Sequence, residues 1–376
     1  MERNQCRPYI DGMPPSRITS PDDSALTVLC NRLAEIAIEL DRSGGWPAEQ
    51  LQLLGQYGVY EWFLGPEWGG QGWREEHVVR GYMDLSGACL TTTFILTQRT
   101  GACRRVAGCE NDVLKQRLLP GLASGEMFAT VGISHLTTSR RHLAKPVLTA
   151  EETDDGFRLD GMSPWVTGGA AADALVLAAT VTERDAATDR QILIAVPRKA
   201  HGLTVADPLA LLAVSASATG PVRLNGVEVP RDWLIAGPMP NVMSSGVGAG
   251  TGGYETSALA VGLSQAAIRF METEASRRVD LERPTAALRT EHDQLRTDLL
   301  DVARGVSACS KESIRQRANS LVLRSTQAAL AAAKGSGYVV GHPAGRWCRE
   351  ALFFLVWSCP QPVAAGNLCE LAGIED

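Results

Sequence analysis

The sequence has no long apolar run, no paired metal-binding cysteines and no concentrated basic patch, and each absence narrows what the chain does. Apolar stretches such as Ala172 to Val181 break off well short of the roughly 20 residues that a membrane-spanning helix needs. The nine cysteines, at positions 6, 30, 89, 103, 109, 309, 348, 359 and 369, form an odd and scattered set without a CxxC pair. Zinc sites and secreted disulfide frameworks show clustered spacings, so these read as reduced, mostly buried thiols, and no metal site is expected. A formal net charge of −6 argues against a nucleic-acid or anionic-membrane surface. The opening MERNQCRPYIDGMPPSR mixes charges and prolines without an apolar centre, which fits neither a signal peptide nor an anchor, so a cytoplasmic location is expected. There is no GxxxxGKS/T phosphate loop and no GxGxxG that opens a helix after a strand; the glycine run 246–253 reads as a flexible linker.

What is present is enough for a large core. The 376 residues, 45% hydrophobic and 21% charged, describe a soluble globular protein of two or three domains. After a loosely structured leader over residues 1–19, Ser20-Pro21-Asp22-Asp23 reads as a helix start, with Ser20 as N-cap and acids at the positive end of the helix dipole. Leu26, Leu29, Leu33, Ile36 and Leu40 follow at steps of three and four, which places them on one face. Helical patterns continue over 51–57, 75–107 and 110–118, the last ending at Leu119-Pro120-Gly121.

From Phe128 to Ile235 the pattern changes to short strand-like runs at 156–160, 174–179, 191–196, 203–205, 222–224 and 227–229, as in a small antiparallel sandwich or barrel. Asn225-Gly226 between the last two is a tight-hairpin signal. From Tyr254 the pattern is helical again, to about Arg278 and then over about 287–334 and 344–357. The predicted division is a helical domain over 1–125, a β domain over 126–237 and a helical bundle over 238–376.

That order, together with Pro66-Glu67-Trp68-Gly69-Gly70-Gln71-Gly72, Leu119-Pro120-Gly121-Leu122-Ala123-Ser124-Gly125-Glu126, Trp165-Val166-Thr167 and Val227-Glu228-Val229-Pro230, resembles the acyl-CoA dehydrogenase family of flavoproteins. The resemblance implies an α+β fold with an N-terminal helical domain, a middle β domain and a C-terminal four-helix bundle, assembled as a homodimer or homotetramer. It implies FAD as cofactor, with Trp165 against the isoalloxazine ring and the Thr167 hydroxyl bonded to it, both on one face of a short strand. A flat apolar surface beside a donor is how a protein holds that ring and adjusts its potential.

The family's second flavin segment corresponds here to Thr130–Ser139, whose Ser134, Thr137, Thr138 and Ser139 hydroxyls and backbone amides are candidates for the flavin oxygens. His135 in the same run reads as a structural histidine, or as an acid/base group if it faces the ring. Arg277-Arg278 and the turn Lys334-Gly335-Ser336-Gly337 stand where the family contacts the pyrophosphate from a partner subunit, so Arg278 and Gly335 complete the expected cofactor set. Arg104-Arg105 reads first as a solvated pair.

Dehydrogenation of an acyl thioester needs a carboxylate to take the α-proton. At the family's two base positions this sequence has Ser358 and Gly252. Glu255 lies three residues after Gly252, on nearly the same helix face, and is the candidate base. The leading reading is therefore an FAD-dependent oxidoreductase acting on the CH–CH bond of an acyl thioester borne by CoA or a carrier protein, with an electron acceptor or flavin reductase as unidentified partner. A flavin-dependent monooxygenase on the same fold needs no such base and is the alternative, and a catalytically silent flavin or acyl-binding protein is the third reading.

Overall fold

The computed structural model describes residues 16–137, 146–184, 186–244, 253–306 and 309–374. The amino-terminal helices are α1 Ser24–Ser43, α2 Ala48–Gln56, α3 Glu75–Ala88, α4 Leu90–Gly108 and α5 Asp112–Ser124. The cap of α1 is Asp23, whose carboxylate accepts the Ala25 N–H at 3.0 Å, and not the predicted Ser20. Ser20 instead opens the preceding turn, its carbonyl taking the Asp23 N–H. The leucines at 26, 29, 33 and 40 are buried as the periodicity requires, whereas Ala37 takes the inner position in place of the half-buried Ile36. Helix α5 runs through Pro120 and stops at Gly125 in the left-handed region (φ 82°). The sequence expectation of an end at Leu119-Pro120-Gly121 is not met, and Gly121 lies against Met127: a Cβ there would be 2.5 Å from Met127 Cγ.

The glycine loop 65–72 is a packed turn. Gln71 Nε2 bonds the Ile18 carbonyl at 3.1 Å, and Trp73 stacks on Trp62 with centroids 4.1 Å apart.

The middle of the chain forms β1 Ala129–Gly132, a one-turn helix α6 Ser134–Thr137, and strands β2 Leu148–Glu152, β3 Gly156–Val166, β4 Ala174–Glu183, β5 Ala186–Pro197, β6 Leu203–Val205, β7 Gly220–Pro230 and β8 Leu234–Pro240. They make one sheet in the order β6-β7-β3-β2-β4-β5-β8, with β1 also paired to β4. The sheet is mixed, because β1 and β2 both run parallel to β4. The apolar run of β4 is explained by burial on both faces. Leu175, Leu177, Ala179 and Val181 enter the core enclosed by the sheet, whereas Ala174, Val176 and Ala178 pack with residues of α4 and α5.

The predicted hairpin at Asn225-Gly226 is absent. Residues 220–230 form a single strand, and the pairing of β3 with β7 steps from Leu159↔Val227 to Gly161↔Leu224, so one extra residue bulges from β7. Gly226 takes φ 59° and its N–H donates to Asp160 Oδ1 at 2.7 Å, which satisfies the amide that the bulge removes from the ladder.

The carboxy-terminal helices are α7 Tyr254–Ala275, α8 Glu282–Ala303, α9 Lys311–Gly337, α10 Pro343–Ala351 and α11 Gln361–Leu371, with a 3-10 turn over Leu352–Leu355 between the last two. Helix α7 crosses α3 at backbone contact. A Cβ at Gly262 would lie 2.1 Å from the Met83 carbonyl oxygen, and Ser86 Oγ donates to the Leu259 carbonyl at 2.7 Å. One continuous hydrophobic core joins α1, α3 and α4 to α7, α8, α9 and α10, so helices far apart in sequence are one body of packing. Among the described residues no helix is long and apolar enough to cross a membrane.

Candidate active site

The start of α7, the start of α9 and the turn before α11 converge. Gly253, Tyr254 and Ser257 meet Lys311, Glu312 and Arg315, and Ser358, Pro360 and Val363 close a cavity of about 30 Å³. Ser358 stands at one of the two expected base positions, and Gly253 directly follows the other, Gly252, which lies outside the described residues. Ser358 adopts φ 46°, a conformation uncommon for a non-glycine residue. The backbone around it is held from α9. Arg315 Nη2 donates to the carbonyls of Trp357 (2.9 Å) and Phe354 (3.3 Å), and Asn319 Nδ2 donates to Phe354 (3.2 Å). The Trp357 ring stacks on Phe353 at 5.1 Å and meets Phe94 of α4 edge-on at 5.0 Å.

Glu255 is not in the wall of that cavity. Its carboxylate accepts from Arg104 Nη1 at 2.9 Å, and Arg104 Nη2 reaches Glu75 at 3.4 Å. Arg104 therefore joins α4 to α3 and α7; it is not the solvated residue expected, because its side chain is 21% exposed and lies over the Phe63 ring. Burial raises the Glu75 carboxyl above its ordinary value against the pull of Arg104. Arg105 is buried as well, its Nη1 donating to the Gly101 carbonyl at 2.8 Å. The sequence offered no sign of this, since a cation pair on a helix reads the same whether it faces water or a crossing helix.

The expected flavin residues fall into two groups. Trp165, at the end of β3, is 46% exposed and presents a flat indole face. Thr167 does not share that face, contrary to the sequence reading. The pairing register shifts between Ser163 and Val166 and the strand ends, so Thr167 turns inward. Its hydroxyl lies 2.9 Å from that of Thr219, which is 2.8 Å from the Ser217 hydroxyl, and all three residues are buried. Ser134 opens α6 and is half-buried; Thr137 closes that helix, and Thr138 and Ser139 lie outside the described residues. His135 is buried with Nε2 donating to the Ala178 carbonyl at 2.8 Å.

The second group is at the far end of α7. Arg278 Nη1 donates to the Ala332 carbonyl at 2.6 Å and Nη2 to Asp280 at 3.1 Å. That carbonyl lies one turn before Gly335, where α9 breaks its helical geometry at Lys334 (φ 56°) and the space around the glycine is open. Arg278 and the glycine turn thus come together, and the exposed Tyr338 and Val340 follow them.

Sequence reasoning missed Arg315. The signal was available, because Ile314, Ala318, Leu321 and Val322 mark the inner face of α9 and place position 315 at its margin.

Comparison with known proteins agrees with this architecture. Residues 22–126 match the family described as acyl-CoA dehydrogenase, N-terminal domain. The chain is 26% identical over 208 residues to the short-chain specific acyl-CoA dehydrogenase of Clostridium acetobutylicum, an alignment that spans 54% of each chain. It is 24% identical over 339 residues to a probable acyl-CoA dehydrogenase of Bacillus subtilis, covering 85% of this chain and 88% of that one. The structure of butyryl-CoA dehydrogenase from Megasphaera elsdenii superimposes with a TM-score of 0.79 at 16% identity, over 93% of this chain and 97% of the other.

Proposed function

We propose that this chain, whose residues 22–126 match the acyl-CoA dehydrogenase amino-terminal domain and whose fold superimposes on a butyryl-CoA dehydrogenase, is a flavin-dependent oxidoreductase acting on an acyl thioester, with FAD as cofactor. The observation that carries the proposal is the meeting of Ser358 and Gly253 on one cavity. Gly253, the neighbour in sequence of one expected base position, lines the same cavity as Ser358, the other, although the two are far apart in sequence. Trp165 fits the cofactor by presenting a flat aromatic face of the kind an isoalloxazine ring packs on. Thr167 fits less well, because its hydroxyl is occupied within the buried Thr167–Thr219–Ser217 chain. Arg278 and the open turn at Gly335 suit a pyrophosphate.

When bound, the flavin would accept the hydride from the β-carbon. The protein has to remove the α-proton, and Glu255 is the carboxylate proposed for it. Glu255 is engaged by Arg104 Nη1 at 2.9 Å. To reach a substrate, the carboxylate must leave that guanidinium.

This requirement, with a hydroxyl at Ser358, favours a second reading in which the same fold works as a flavin-dependent monooxygenase and no α-proton is abstracted. Anaerobic addition of acyl-CoA thioesters to the flavin-loaded protein decides between them. Bleaching of the flavin that disappears in Glu255→Gln supports the dehydrogenase. Flavin that stays oxidised with every thioester, but supports oxygen-dependent hydroxylation with a flavin reductase, supports the monooxygenase. A purified protein that takes up no flavin refutes both.

A further inference from the structure

The wall of the cavity beside Ser358 contains a cation that has no ion-pair partner among the described residues. Arg315 is 6% exposed. Its Nη2 is used by the Phe354 and Trp357 carbonyls, but Nε and Nη1 are buried with no hydrogen-bond partner among the described residues. Burial pushes the guanidinium down to about 10, and the Cys359 thiol is the acidic group that acts on it in the opposite sense. A buried guanidinium with unused donors and no carboxylate paired to it among the described residues is unfavourable unless a ligand supplies the anion. Anchoring the 354–357 backbone explains Nη2 and leaves the other two nitrogens unexplained.

Arg315 also has suitable neighbours. Lys311 lies one turn before it on α9, with its ammonium 4.8 Å from the Tyr254 ring, and Ser257 and Ser358 add hydroxyls. Glu312 is the acidic residue of the wall. The cavity of about 30 Å³ has room for a group of carboxylate size, given the roughly 10–15 Å³ that one water requires.

We propose that this cavity is a carboxylate-binding site, with Arg315 as the anchoring cation and Lys311 and Ser358 beside it. The proposal rests on the reading of this cavity as the substrate site, and it makes the substrate class an acyl thioester that carries a second, ionised carboxyl group. The position expected to provide a carboxylate for catalysis thereby becomes one that receives a carboxylate from the ligand.

Calorimetric titration of the resting protein tests this without turnover, so its outcome is separable from whether the flavin is reduced. Acetate and acetamide are the small probes, and succinyl-CoA and butyryl-CoA are a pair of equal chain length that differ in the terminal carboxylate. Succinyl-CoA is expected to bind at least tenfold more tightly than butyryl-CoA, and Arg315→Gln is expected to erase that preference. Acetate binding without a preference for succinyl-CoA would keep the carboxylate site and assign it to a free carboxylate. Glu312→Gln, on the exposed side of the wall, should tighten binding of whichever carboxylate is held, and it supplies the test if Arg315→Gln fails to fold. Equal binding of acetate and acetamide, no binding of either acetate or succinyl-CoA, or unchanged carboxylate affinity in both variants would overturn the proposal.

Discussion

Glu350 on α10 offers a quantitative test of the packing between the amino- and carboxy-terminal helices. Its side chain is 2% exposed, its nearest cation is Arg346 Nε at 4.0 Å, and Oε2 has no hydrogen-bond partner among the described residues. Burial raises its pKa from 4.5 to about 7, against the opposing pull of Arg346, while nearby Asp41 adds to the rise. Between those values the folded protein holds a proton that the unfolded chain has lost. Stability from this group is therefore complete below about pH 4.5 and declines as pH rises toward 7. A shift of this size, at about 1.4 kcal/mol per unit, corresponds to about 3 kcal/mol, an order-of-magnitude figure.

The perturbation is Glu350→Gln, which keeps the shape and removes the titration. Urea unfolding of both proteins from pH 5 to 8, at fixed protein and flavin concentration, gives the difference in stability at each pH, and titrations common to both proteins cancel. The parent should lose about 2.5 kcal/mol relative to the variant across this range. A change in how Arg346 is paired in the variant shifts the whole difference curve but not its slope, because a guanidinium does not titrate in this range. A flat difference would mean that Glu350 is solvated in the folded protein. A difference that rises with pH would mean that Arg346 outweighs burial, and either result refutes the argument.

Other expectations follow from single contacts. Gly262→Ala drives a methyl into the Met83 carbonyl at the α3–α7 crossing and should destabilise by about 1–3 kcal/mol, visible as a lower urea midpoint. Asp23→Ala removes the cap of α1 and should cost about 1 kcal/mol in the same assay, whereas Ser20→Ala should leave the helix cap intact. Trp165→Ala should weaken flavin binding about tenfold with little change in unfolding, since an aromatic contact contributes ~1 kcal/mol and this ring is exposed; unchanged flavin affinity would remove Trp165 from the cofactor site.

Much of the fold was legible in order and period. The leucines of α1, the doubly buried run of β4 and the return to helix at Tyr254 follow from local pattern, because the spacing of apolar residues is set by the geometry of each element. The motifs around Pro66, Leu119 and Trp165 carried the family resemblance without any distance. Local chemistry misled where a neighbour decided the outcome. Asn225-Gly226 makes a bulge because β3 continues past it as a partner, and α5 continues through Pro120 to Ser124.

The site divides in the same way. The sequence by itself showed that Ser358 and Gly252 provide no carboxylate and that Glu255 is the acid nearest in sequence to Gly252. Only the tertiary structure turned Glu255 toward Arg104, buried the Thr167 hydroxyl against Thr219, and set the unpaired donors of Arg315 beside Ser358. The physical reason is that residue identity fixes which groups are available, whereas the charge and hydrogen bonding of a buried group depend on chain segments far away in sequence, 52 residues for Thr167 and 151 for Glu255.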